Sequence, residues 1–159
     1  MTELARDIAM QFPDDIWRLD GVERYLRCRT FSEFCTLDES RYFLRAILPV
    51  PIEDGDAFCW GVWVEVSRQD HDRYLKAYSA DELSELEPIK GCLANELPVY
   101  EESLGAPVRL MPSADQRPDV VVLQEGLLAT EQQVGITLRR LEEINEILFG
   151  DEPGEDEEF

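Results

Sequence analysis

The side chain best suited to proton transfer near neutral pH occurs once in this sequence, as His71. Ser67 precedes it by four residues, but the pattern puts Ser67 at a strand end and His71 on a helix. The two are not read as a nucleophile and its base. His71 is expected as an ordinary surface or half-buried histidine. Cysteines stand at 28, 35, 59 and 92. None forms a C-x-x-C pair, and the spacing from Cys28 to Cys35 matches no zinc pattern. Four reduced, mostly buried thiols are expected. Neither a G-x-G-x-x-G run nor a P-loop is present, so no phosphate cradle is indicated. Glu101 and Glu102 are adjacent carboxylates, yet carboxylates are so abundant here that a solvated turn is the better reading. No catalytic residue, metal ligand or cofactor follows from these residues.

Charge is the most unusual property. The 159 residues contain 35 acids and 15 bases, for a net charge of −20. Six of the acids lie in residues 151–159 with no base among them, so residues 1–150 carry −14 of that charge. This surface repels nucleic acid and anionic lipid and attracts basic partners. The bases are scattered, and Arg139-Arg140 is answered by Glu142 and Glu143 at helical spacing. Nucleic-acid and membrane partners are therefore not expected. The N-terminus reads Met-Thr-Glu-Leu-Ala-Arg-Asp, without the basic and apolar regions of a signal peptide. A cytoplasmic location is the expectation.

The elements that must position these groups follow from periodicity. Hydrophobic residues make up 44% and aromatics 9%, the composition of a chain that builds a core. Leu4, Ile8 and Phe12 suggest a helix over 3–12, and 14–27 is a second helical candidate weakened by Gly21. Strands are expected at 30–37, 41–50 and 58–67, with Asp38-Glu39-Ser40 as a turn. Pro49 and Pro51 mark the end of the second strand or an edge. Phe58, Trp60, Val62, Val64 and Val66 alternate with Cys59, Gly61, Trp63, Glu65 and Ser67, a pattern for a central strand. Gly61 leaves a gap where another segment can approach. A helix is expected at 70–79 with Asp70 as its cap, and residues 88–98 read as mixed. Strands are expected at 107–112 and 119–124. A last helix runs from the cap Thr137 to Phe149 with an apolar stripe. The fold class is α+β, one domain over 1–150 with a mostly antiparallel sheet, flanking helices and a C-terminal helix. Residues 151–159 are expected to be an acidic, disordered tail.

Three stretches have a familiar order and spacing: Phe58-Cys59-Trp60-Gly61-Val62-Trp63-Val64-Glu65-Val66-Ser67, Gly91-Cys92-Leu93-Ala94-Asn95-Glu96-Leu97-Pro98-Val99-Tyr100, and Glu131-Gln132-Gln133-Val134-Gly135-Ile136-Thr137. Over roughly residues 30–145 the chain resembles a bacterial family known as domain of unknown function 2199. The resemblance implies no activity. Members often open with a cysteine pair like half a zinc site, whereas this chain has no cysteine before Cys28. They also often carry His-Pro just before the E-Q motif, where Gly126-Leu127 stands here.

The leading expectation is a non-enzymatic domain that binds a basic protein, in concrete form an immunity protein that neutralises a basic toxin enzyme. The contact residues would be Glu53, Asp54, Asp56, Asp81, Glu82, Glu85, Glu87, Glu101 and Glu102, with Trp63 as an anchor if exposed. One alternative is a small-ligand protein or enzyme with a dispersed site drawing on Asn95, Tyr100, Gln132 and His71. Another is a housekeeping or regulatory domain whose acidity serves only solvation.

Overall fold

The alternating run at 57–66 forms the strand around which the sheet is organised. A computed structural model describes residues 4–150, so the expected acidic tail lies outside the described residues. The strands are β1 (Asp7–Ala9), β2 (Cys28–Thr30), β3 (Phe34–Leu37), β4 (Arg41–Pro51), β5 (Ala57–Val66), β6 (Ile89–Leu93), β7 (Pro107–Met111) and β8 (Asp119–Val122). The helices are α1 (Asp14–Trp17), α2 (Gly21–Arg27), α3 (Arg68–Ser79), α4 (Leu127–Val134) and α5 (Leu138–Phe149), with a short 3-10 turn at Leu83–Glu85.

β4 and β5 pair antiparallel from Tyr42↔Val66 to Pro51↔Ala57. β6, β7 and β8 continue from β5, and β8 returns to pair with β4. Five strands thus close into a barrel. β1 adds to β5, and β3 then β2 extend from β4. All pairings are antiparallel except β1–β5 and β4–β8. The fold is α+β with a mainly antiparallel sheet.

Two apolar clusters use the two faces of β5. Phe58, Trp60, Val62, Val64 and Val66 enter the main core with Leu44, Leu48, Val108, Leu110, Val120, Leu141 and Ile144. Trp63 points the other way, into a smaller core with Ile16, Cys35, Leu37, Phe43 and Ala94. Burial there pushes the Cys35 thiol up to about 12, which leaves it a protonated packing residue.

Several sequence expectations change. Residues 7–9, inside the helix expected at 3–12, are a strand. Gly61 makes room for it, since a Cβ there would lie 3.1 Å from Ala9. The helical stretch at 14–27 is two helices. Gly21 does not interrupt it but follows Asp20, whose side chain accepts from the Glu23 N–H at 2.8 Å as an N-cap. Ser67, not Asp70, caps α3. Residues 89–93 are a strand, and α4 has no counterpart in the sequence reading. The Asp38-Glu39-Ser40 turn is present. Asp38 and Glu39 both have φ of 53°, the left-handed pair that matches the twist of a hairpin. Thr137 caps α5, accepting from the Arg140 N–H at 3.0 Å.

Pro49 and Pro51 do not put β4 at an edge. Ile47 donates its N–H to Pro118 at 2.9 Å, so this side of β4 faces β8. The prolines follow at steps of two on the same side and have no N–H to give. Strand pairing with β8 therefore stops at Ile47↔Asp119. The carbonyls left over are taken from elsewhere. Pro51 accepts from the Ile136 N–H at 2.8 Å, and Glu53 donates back to Ile136 at 2.9 Å.

Gly91 is the tightest glycine in the sheet, because a Cβ there would lie 2.6 Å from the Glu65 carbonyl oxygen. Gly91→Ala is expected to force β6 away from β5 and to cost about 1–3 kcal/mol. Chemical denaturation compared with the wild type checks this.

Candidate functional site

The clearest concavity is a cleft of about 550 Å³ between the β6–β7 loop, the start of α4 and the end of α5. Its first wall is Pro98–Ser103. The loop is folded by one carboxylate: Glu96 accepts from the Leu104 N–H at 2.7 Å, the Glu102 N–H at 3.1 Å and the Ser103 hydroxyl at 3.1 Å. Ser103 is buried, and its oxygen accepts from the Leu97 N–H at 2.7 Å. The loop is held tightly enough for Glu102 to keep a φ of 65°, unusual for a residue with a side chain. Glu101 and Glu102 are thereby turned to the rim and exposed.

The opposite wall is Gln124–Leu128 with Ile147 from α5. Leu127 and Ile147 are each more than half exposed, at 54% and 51%. Glu125 adds a third carboxylate to the lining, and no lysine or arginine lines the cleft. Among the described residues, the carboxylates of Glu101, Glu102 and Glu125 make no hydrogen bond or ion pair. The cleft therefore has a mixed lining, with Val99, Leu127 and Ile147 beside Gln124 and unpaired negative charge at its edge.

Tyr100 contributes to the wall of this cleft while its ring is buried against Trp60, with centres 5.9 Å apart. Its hydroxyl donates to Glu131 at 2.6 Å, and Arg140 donates to the other oxygen of Glu131 at 2.9 Å. The Arg140 guanidinium also lies 5.9 Å from the Tyr100 ring centre. Burial, with the adjacent Glu131 carboxylate, raises the Tyr100 hydroxyl well above its ordinary range, so it remains a donor. Arg140 is thus turned inward rather than standing only on a solvent face with Glu143.

The other residues considered for a dispersed site are not gathered here. Asn95 is buried. It accepts from the Trp63 N–H at 2.8 Å and donates to Phe12 at 2.9 Å and Asp14 at 3.0 Å. Gln132 donates to Val120 at 2.7 Å and Pro49 at 3.2 Å and accepts from the Val122 N–H at 2.8 Å. His71 is buried against Phe34 and Tyr42, with ring centres 6.3 Å and 5.0 Å away. Neither ring nitrogen has a hydrogen-bond partner, and the Asp72 carboxylate is 3.5 Å from Nδ1. Burial lowers the His71 pKa, and Asp72 opposes this only in part.

The acidic residues expected at a contact face lie on separate turns. Glu101 and Glu102 are in the cleft. Asp54 and Asp56 sit on the β4–β5 turn and pair with Arg6 at 3.0 and 3.1 Å. Glu53 accepts from the Leu138 N–H at 2.7 Å, at the start of α5. Asp81, Glu82, Glu85 and Glu87 are exposed around the 3-10 turn after α3. Trp63 is not an exposed anchor. It is 1% exposed, because the segment Met10–Ile16 covers it, and its Nε1 donates to Met10 at 3.1 Å. Glu125, Leu127, Leu128 and Ile147 are not among the site residues expected from sequence. The available signal was the helix bracketed by Gly126 and Gly135. Among the described residues, no group of three or more His, Cys, Asp or Glu side chains is placed to hold a metal ion. No helix among them is long and apolar enough to cross a membrane.

A family model described as "Uncharacterized protein conserved in bacteria (DUF2199)" matches residues 2–136. The chain belongs to that family. Comparison with curated proteins and with solved structures gives no match. The three stretches that carried the resemblance all have visible work in the structure. Trp60, Gly61 and Trp63 set the two faces of β5. Asn95, Leu97 and Tyr100 fix the cleft loop. Glu131, Gln132, Gly135, Ile136 and Thr137 hold Tyr100, β8, β4 and the entry to α5.

Two outcomes follow. Asn95→Ala leaves the buried Trp63 N–H without its acceptor and is expected to cost about 1–3 kcal/mol, read as a lower urea midpoint. His71 sets a pH dependence. Its folded pKa is depressed, so the unfolded chain takes up the proton first. Stability is then lost as pH falls below about 6.5, the ordinary histidine value, and on through the folded pKa. Urea midpoints between pH 7.5 and 5.5 should fall more steeply for the wild type than for His71→Phe; parallel curves would contradict the assignment.

Proposed function

We propose that this chain is an acidic, non-enzymatic protein-binding domain that receives a basic partner at the cleft between Pro98–Ser103 and α4. The observation that carries this reading is a cleft in which Val99, Leu127 and Ile147 stand beside the carboxylates of Glu101, Glu102 and Glu125, with no base in the lining. Its volume suits one or two anchoring side chains rather than a whole partner surface. An exposed charge pair contributes at most about 1 kcal/mol. The rim carboxylates therefore supply approach rate and choice of sign, while Leu127, Ile147 and Val99 supply the apolar contact area. The surrounding net charge of −20 extends the same preference over longer range.

In its more specific form, the domain is an immunity protein that covers the cationic active-site cleft of a toxin enzyme in the bacterial cytoplasm. What supports this form is the combination of charge sign, small size and a docking trough on a rigid barrel. Binding to a basic enzyme of this kind would be fast and would weaken steeply with salt.

A cationic probe tests the cleft directly. A short peptide alternating Lys and Leu is expected to shift the amide resonances of Val99–Ser103, Leu127 and Ile147. Its affinity should fall at least tenfold in the triple variant Glu101→Gln, Glu102→Gln, Glu125→Gln, or on going from 0.05 to 0.5 M salt. A peptide alternating Glu and Leu should not bind. Equal binding of both peptides, or shifts confined to other surfaces, would sink the cleft assignment. For the toxin form, low-salt capture from a bacterial host should retain one stoichiometric basic enzyme on the wild type and lose it on the triple variant.

A further inference from the structure

The barrel seam leaves a second hollow. β4 and β8 pair only at Ile47↔Asp119. Beyond that point Pro49 and Pro51 have no N–H to give, and the Gln132 amide stands between the Pro49 and Val120 carbonyls instead. Gln132 also lines a groove of about 650 Å³, more open than the cleft. The walls of this groove are mostly apolar and include Pro49, Pro51, Met111 and Val121. Met111 and Val121 are exposed. The Gln132 amide has its hydrogens and its oxygen engaged, so it asks nothing of an occupant.

One charge in this groove is unanswered. Among the described residues, no lysine or arginine lines it. Of its two acids, Asp56 pairs with Arg6 at 3.1 Å. Asp119 is half-buried, opposite Met111 of β7. Burial raises its pKa, and neither a base nor a hydrogen-bond donor opposes the shift. Burial also raises the Cys59 thiol, and Asp7, Asp119 and Asp56 add to the effect, so the local field is negative. The half-buried acids Glu33, Glu65 and Glu131 are each gripped by an arginine. Asp119 has no such partner.

Charge complementarity sets the occupant. An anion is repelled, and a wholly apolar group would bury Asp119 further without a partner. A lysine or arginine side chain satisfies both parts, with its stem along Pro49, Met111 and Val121 and its charge at Asp119. The groove also continues the cleft. Val122 lines both, Leu127 and Leu128 at the start of α4 belong to the cleft, and Gln132 and Gln133 near its end belong to the groove.

We propose that this groove is a second socket for a lysine or arginine side chain of the basic partner, so that the contact surface runs along α4 from the cleft to Asp119. The proposal rests on the reading of this chain as the receiver of a basic protein.

Amide resonances of the full chain, titrated with the peptide alternating Lys and Leu, test it. Met111, Val121 and Gln133 should shift. In Asp119→Asn the affinity read from these three should fall about tenfold, while the shifts of Val99–Ser103 persist. The urea midpoint of this variant should not fall, because the carboxylate it replaces holds no partner. The carboxyl carbon of Asp119 should titrate at lower pH with the peptide bound than without it. The proposal is overturned by groove resonances that stay still, by equal affinity in Asp119→Asn, or by the same shifts with the peptide alternating Glu and Leu. Shifts that arise on concentrating the chain alone would give the groove to a second copy and overturn it too. The two sockets fail separately. Groove shifts without cleft shifts would sink the cleft assignment alone, and cleft shifts without groove shifts would sink the second socket alone.

Discussion

The fold depends on closing a barrel along a seam that ordinary strand pairing cannot complete. Pro49 and Pro51 face β8 from β4 and have no N–H to donate, so the parallel ladder ends after one residue pair. Unpaired carbonyls at a buried seam are costly. The chain answers with a side chain that imitates backbone. The Gln132 amide spans the seam, giving its two hydrogens to Pro49 and Val120 and accepting from Val122. Ile136 then runs beside Ile52 as a one-residue parallel bridge and takes the Pro51 carbonyl. Gly135 permits this approach. It has a φ of 94°, and a Cβ there would lie 3.1 Å from the Pro51 oxygen. One segment, 131–137, therefore seals the barrel, anchors Tyr100 through Glu131 and starts α5 through Thr137. The cleft inherits its shape from this seal, since α4 and α5 form one wall and Tyr100 belongs to the other.

A second clamp works across the barrel. Asn95 holds the Trp63 backbone from one side and the Phe12 carbonyl from the other. This joins β5, the start of the cleft loop and the N-terminal segment covering Trp63. The Arg45 guanidinium lies 5.2 Å from the Trp63 ring, closing the smaller core. Asn95 and Gln132 each use a primary amide where the backbone needs a donor and an acceptor at one point. Their appearance in conspicuous motifs reflects that geometric need.

Long elements with strong periodicity were legible in the sequence. The alternation of 58–66 gave β5, 41–50 gave β4, and the Leu138–Leu148 stripe with its Thr137 cap gave α5. Short elements were not, because they are set by partners distant in the chain. Residues 7–9 become a strand because β5 offers an edge and Gly61 leaves space, while the spacing of Leu4, Ile8 and Phe12 imitates a helix. Residues 89–93 are too short and too interrupted by Lys90 and Gly91 to show a period. Half of the cleft was visible as Glu101 and Glu102. The other half, Glu125 to Leu128 and Ile147, lies 20 or more residues away and joins them only through the barrel seal. Trp63 was read correctly as opposite in face to Trp60, but alternation does not report whether that second face is covered.

The distribution of bases shows how so acidic a chain remains folded. Thirteen of the fifteen are arginine and two are lysine. Three of the arginines grip a carboxylate with two donors: Arg27 on Asp38, Arg41 on Glu65 and Arg117 on Glu33. The planar fork suits this use, where an ammonium would serve only as a point charge. Each pair joins segments apart in sequence, so the bases are spent on tertiary geometry rather than on balancing the surface. Other acids are also absorbed by structure, Glu96 by loop amides and Glu131 by Tyr100 and Arg140. The carboxylates at the cleft rim have no such employment. An acid retained only for solvation needs no shaped neighbour. In the proposed reading these acids, on a loop that keeps Glu102 at a positive φ, receive a cationic side chain that enters between them beside Val99, Leu127 and Ile147.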